Sequence, residues 1–107
     1  MQFPAAFHRH FHSWFSSNTR DGVRDRVKAQ MLLTPADPSL ALVRSYGCFD
    51  QTDRLGDIYF PTLVIGTESD HSTPASQSRE LAELIPKAHF VLIEDCGHFP
   101  MMENPER

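Results

Sequence analysis

Two short apolar runs limit what this chain can fold into more than any other feature. The first, Pro61-Thr-Leu-Val-Ile-Gly66, is closed off by proline and glycine, and the second is His89-Phe-Val-Leu-Ile-Glu94. Short apolar runs of this kind, with β-branched residues in them, read as strands buried on both faces. Between them Ala75, Leu81, Ala82, Leu84 and Ile85 mark the apolar face of a helix. Thr73 is placed to cap that helix, Pro74 suits its first position, and Pro86 ends it. Strand, helix and strand joined by a crossover of roughly twenty residues make a βαβ unit with parallel strands and a right-handed connection. The fold class is therefore α/β.

The part before Pro61 reads as helical. Phe7, Phe11 and Trp14 fall at helical spacing, and Asn18 to Gly22 is a break. From Val23 a stripe of Val23, Val27, Met31 and Leu32 predicts a second helix, with charges on the opposite side. Asp37 as N-cap and Pro38 at the first helical position predict a third, running to Tyr46 and ending at Gly47. Asp50 to Asp57 is polar and loop-like, and Met101 to Arg107 begins a last helix, with Pro105 near its start.

Composition narrows the function classes. With 107 residues the chain has room for one domain. A net charge of −4 argues against non-specific nucleic-acid binding, which needs a cationic surface. The basic residues between Arg20 and Lys28 are interleaved with Asp21 and Asp25, the pattern of a solvated helix face rather than an anion site. No apolar run approaches the roughly 18 residues of a membrane span. The first fifteen residues are broken by His8, Arg9, His10 and His12, unlike a secretory leader. Cys48 and Cys96 are then expected as free thiols in a reducing compartment, and the default location is the cytoplasm.

Parallel strands place their C-terminal ends on one edge of the sheet, where open α/β sheets bind ligands. Asp70 follows the first run and His98 the second. On neighbouring strands about 5 Å apart, the two loops can bring a carboxylate and an imidazole together. Such a pair fixes the imidazole tautomer and stabilises the imidazolium formed during catalysis.

The wording of these loops is more specific than their placement. IYFPTLVIGTESDHSTP, then a helix, then HFVLIEDCGHFPMMENPE, is similar to the end of the α/β-hydrolase family. There a strand and Gly-containing turn present an acid in a pattern close to D-x-x-x-P, matched by Asp70 and Pro74. A later strand leads to a Gly-His pair, matched by Gly97 and His98. Asp70 before His98 agrees with the family order of Ser, acid, His. One departure is Thr67 three residues before the acid, where the family often has Gly. Glu68 is the rival acid, but Asp70 has the spacing to Pro74.

The resemblance implies the C-terminal part of a doubly wound sheet. Residues 55–107 would carry the acid and histidine, and residues 1–54 would be a partial helical cap. It implies hydrolysis of small esters or lactones, most like the enol-lactonase and esterase branch, with no cofactor and no metal.

The nucleophile elbow G-x-S-x-G is absent. Its nearest approach, Val43-Arg44-Ser45-Tyr46-Gly47, lacks the first glycine and stands too close to Asp70 for the intervening elements of the family. The oxyanion donors are missing with it. The expectation is thus a truncated hydrolase that is inactive alone. The rival is a non-catalytic fragment or interaction module, self-associating or pairing with a missing N-terminal half through its sheet edge. Other candidates are weaker. His8, His10 and His12 alternate as a metal motif would, without a fourth ligand; Cys96 sits too close to His98 along one turn for a nucleophile–base pair; His71 is expected to face solvent.

Overall fold

The computed structural model describes residues 10–107; Phe7 and His8 lie outside them. The two apolar runs form strands β1 (Thr62–Thr67) and β2 (Ala88–Ile93), one residue from the expected bounds at each end. They pair in parallel, with Leu63 opposite His89, Ile65 opposite Val91 and Thr67 opposite Ile93. Ahead of them lie α1 (Val23–Leu32), α2 (Ala36–Tyr46) and a 3₁₀ helix over Thr52–Asp57, where a loop was expected. Helix α3 (Ala75–Leu84) makes the crossover, and α4 (Pro100–Glu103) follows β2.

Helix α3 covers one face of the sheet. Gly66 lets it approach: a Cβ there would stand 2.9 Å from the Phe90 ring and 3.2 Å from Cβ of Ser78. The Arg79 guanidinium lies over the same ring at 4.5 Å. On the other face Leu63, Ile65, His89 and Val91 are exposed. A two-stranded parallel sheet uncovered on one side is an incomplete layer, because such sheets are ordinarily buried on both faces. Among the described side chains of α2 none is buried, and Leu40, Leu42, Val43 and Tyr46 all meet solvent.

The main core lies beside the sheet rather than on it. Phe11, Phe15, Val23 and Val27 are buried together, and Trp14, Met31, Phe99 and Met102 pack against them. Val23 and Val27 are one turn apart on α1, as the stripe predicts. Phe15 stacks on Phe99 with ring centroids 5.2 Å apart. Residues 11–27 are thereby fastened to the loop that follows β2.

Three expected helix boundaries move. Pro35, extended at φ −60° and ψ 149°, is the N-cap of α2, so Asp37 and Pro38 lie inside its first turn. Proline is tolerated there because the first amides of a helix have no intrahelical acceptor. Helix α3 starts at Ala75 after Pro74 as N-cap, and Thr73 does not cap it. The last helix is Pro100–Glu103, earlier and shorter than Met101 to Arg107; Pro100 pre-sets its first turn.

Candidate active site

The acid is assembled first, by its own loop. After β1 the chain turns, and Oδ1 of Asp70 accepts the amides of Ser72 at 2.8 Å and Thr73 at 3.0 Å. The Thr73 hydroxyl donates to Oδ2 at 2.8 Å. This is where the hydroxyl expected to cap α3 has gone, since an ionised carboxylate is a stronger acceptor than a helix end is a donor array. The Asp70 side chain is 8% exposed.

His98 arrives from the neighbouring strand. Its Nδ1 stands 2.8 Å from Oδ2 of Asp70 and 3.4 Å from Oγ1 of Thr73. A carboxylate can only accept, so Nδ1 carries the proton and Nε2 is left as a base. The imidazole is 34% exposed and open to solvent. Burial raises the Asp70 carboxyl. Hydrogen bonds from His98, Thr73 and Ser72 outweigh that and hold it below its ordinary value.

Strand and loop backbones fix the spacing. Thr67, in place of the family's frequent glycine, donates its hydroxyl to the carbonyl of Gly97 at 2.8 Å, and the Ser69 amide donates to Cys96 O at 2.9 Å. Gly97 permits the closest approach: a Cβ there would meet the backbones of Trp14, Phe15 and Ser16 within 3.0 Å. The His98 amide donates to Trp14 O, and the indole lies 5.9 Å from the imidazole, centroid to centroid. Asp95, at φ 52°, takes the left-handed turn that starts this loop.

The rival candidates sit elsewhere. Glu68 accepts the Asp95 amide at 3.0 Å, so its carboxylate braces the loop. Ser45 lies within α2 with its hydroxyl on Leu42 O at 2.7 Å, not on a strand-to-helix turn. Cys96 is fully buried; burial first, then the charges of Glu103 and Asp70, push its thiol up against a lowering bond from the Gly97 amide. His71 is exposed. Among the described residues no three His, Cys, Asp or Glu side chains are grouped to hold a metal. A cleft of about 450 Å³ lined by Arg20, Asp21, Arg26, Met101 and Met102 does not include the Asp70–His98 pair.

Sequence reasoning missed Glu103, which is 7% exposed. The only signal for it was a carboxylate directly after the apolar run Phe99 to Met102.

With this geometry in view, comparison with known proteins gives one answer. The α/β-hydrolase fold profile matches residues 2–105, and the chain belongs to that family. It is 32% identical over 92 residues to a Pseudomonas syringae pv. syringae protein provisionally named carbamate hydrolase RutD. That match covers 86% of this chain and 36% of the relative. Among solved structures, the N-acyl homoserine lactone degrading enzyme Est816 superposes with TM-score 0.79 at 28% identity, over 94% of this chain and 42% of that one. A thermophilic esterase from Thermogutta terrifontis gives TM-score 0.53 at 43% identity, over 54% of this chain and 21% of that one. The chain thus spans well under half the length of these three proteins. No helix among the described residues is long and apolar enough to cross a membrane.

Proposed function

We propose that this chain supplies the acid and the base of a serine-type α/β-hydrolase acting on small esters or lactones. One observation carries the reading: Asp70, held by three donors of its own loop, meets Nδ1 of His98 at 2.8 Å while the imidazole stays open to solvent. In such a site Nε2 of His98 takes the proton of an attacking hydroxyl and returns it to the leaving group. Asp70 stays ionised and stabilises the imidazolium between those steps.

The nucleophile and oxyanion donors are to come from the rest of a complete domain, and the chain alone does not turn over. An acid–base pair without them contributes about 10²–10⁴-fold. Residues 1–54 act as a partial cap and residues 55–107 as the acid–histidine segment. The exposed face of Leu63, Ile65, His89 and Val91, together with the unpaired edge of β1, takes the missing strands. The same exposed surface favours the second reading, a non-catalytic module that self-associates there. The free thiols of Cys48 and Cys96 support a cytoplasmic location.

The test is hydrolysis of a short p-nitrophenyl ester. The chain alone gives no rate above buffer. A chimera in which residues 55–107 replace the equivalent segment of the lactone-degrading relative hydrolyses the ester, and Asp70→Asn or His98→Ala in it lowers kcat by about 10⁴. A folded chimera that keeps its rate with His98→Ala refutes the assignment.

A further inference from the structure

The His98 loop is held by more than its strand. Glu103 turns its carboxylate back into the protein and gathers four donors from two distant parts of the chain. Oε2 accepts the Gly97 amide at 3.2 Å, the Ser16 amide at 3.0 Å and the Thr19 hydroxyl at 2.7 Å. Oε1 accepts the Phe99 amide at 3.2 Å. Gly97 and Phe99 are the residues on either side of His98, so this one carboxylate grips the backbone before and after the imidazole.

A buried charge is costly unless it is fully bonded. Four donors, three of them rigid backbone amides, satisfy this one. The arrangement has a direction: a short polar side chain would serve to cap α4, and the Phe99 amide alone would suffice for that. The bonds to Ser16 and Thr19 do nothing for α4. They tie the segment before α1 to the His98 loop, in parallel with the bond from the His98 amide to Trp14 O. The Arg24 guanidinium, bonded to Ser16 O at 2.9 Å, braces that segment from its far side.

We propose that Glu103 is the positioning residue of the His98 loop, holding the imidazole against Asp70 by fixing the amides of Gly97 and Phe99 to the Ser16–Thr19 segment. The proposal rests on the acid–base reading above, but concerns how the base is kept in place. Glu103 touches neither substrate nor reacting atoms. Its removal lets the loop drift and weakens the 2.8 Å contact between His98 and Asp70.

The test reads His98 directly in the ¹⁵N-labelled chain. Wild type gives a low-field Nδ1 proton, assigned by its loss in Asp70→Asn. Glu103→Gln preserves shape but puts an amide NH₂ against one of the N–H donors. In this variant the low-field proton is lost, and the Gly97 and Phe99 amides shift. Thr19→Val removes one donor from Oε2, the oxygen that also accepts the Gly97 amide. It moves the same signals by a smaller amount, and Thr19→Ser restores them. A folded Glu103→Gln variant with its low-field proton unmoved overturns the proposal. Should Glu103→Gln fail to fold, Thr19→Val decides: an unmoved His98 proton refutes the role and a moved one supports it. If wild type shows no such proton, the acid–base reading falls instead, and the Gly97 and Phe99 amides in Thr19→Val still report whether Glu103 holds the loop.

Discussion

Asp70→Asn separates the acid's charge from its shape. The oxygen that the amide retains keeps the two bonds from the Ser72 and Thr73 amides, so the turn after β1 survives. The other oxygen, which accepts from both His98 and the Thr73 hydroxyl, becomes an NH₂ group. An NH₂ cannot accept the Nδ1 proton, so imidazole and amide meet donor to donor. The low-energy escape moves the proton to Nε2, making Nδ1 the acceptor; the Thr73 hydroxyl rotates to accept as well. A charge-assisted bond worth about 1.5–3 kcal/mol is exchanged for a neutral one worth about 1 kcal/mol. The net loss is about 0.5–2 kcal/mol, too little to unfold the loop and enough to invert the tautomer. Long-range ¹H–¹⁵N correlation of the His98 ring at pH 8 reads this directly. Wild type carries the proton on Nδ1 and Asp70→Asn carries it on Nε2, which removes the base. If both proteins show the same tautomer, Asp70 does not set the protonation of His98 and the site assignment fails.

Further outcomes follow from the same contacts. Asp70 is held below its ordinary value, so its ionised form contributes stability that is fully present above the unfolded-chain value of about 3.9 and lost as pH falls through the lower folded one. The stability difference between wild type and Asp70→Asn, from urea midpoints, therefore shrinks below about pH 4; a constant difference would show that the carboxylate gains nothing from its partners. Gly97→Ala forces a Cβ against three backbone atoms and costs about 1–3 kcal/mol in the same measurement, whereas Gly56→Ala, with open space around it, leaves the midpoint nearly unchanged. Iodoacetamide at neutral pH modifies exposed Cys48 and spares Cys96, whose thiol is buried and raised, until denaturant is added; equal rates in mass spectrometry would contradict the burial of the loop behind His98.

The βαβ unit could be read from the sequence because two independent signals agree there. The β-branched runs are short enough to be strands, and the Pro and Gly around them leave few other boundaries. Asp70 and His98 could be found for a topological reason: parallel strands deliver both following loops to one edge, and in the structure those loops meet. The contacts that hold the pair were hidden. Thr73 has the residue type of a cap and stands where a cap is wanted, yet its hydroxyl serves Asp70, because propensity ranks a residue against its own helix end and not against a carboxylate three residues back. Pro38 was placed one helical position by its preference for the first turn, but Pro35 three residues earlier also fits the boundary, and Pro35 is the one that is extended. The contacts of Glu103 with Ser16 and Thr19 were out of reach on any local argument, since those residues lie more than eighty positions away.

What holds the acid and base together and what covers the sheet come from different parts of the molecule. Every bond to the Asp70 carboxylate comes from Ser72, Thr73 or His98, and the loop of His98 is fixed by Thr67, Trp14 and Glu103. None of these requires a third strand. The outer face of the sheet is the opposite case, because Leu63 and Ile65 are 61% and 49% exposed and gain nothing from the residues that build the site. At about 25 cal/mol per Å² of apolar surface removed from water, covering such a face would add stability that the residues of the site do not supply. The contact between Asp70 and His98 therefore does not depend on what covers that face.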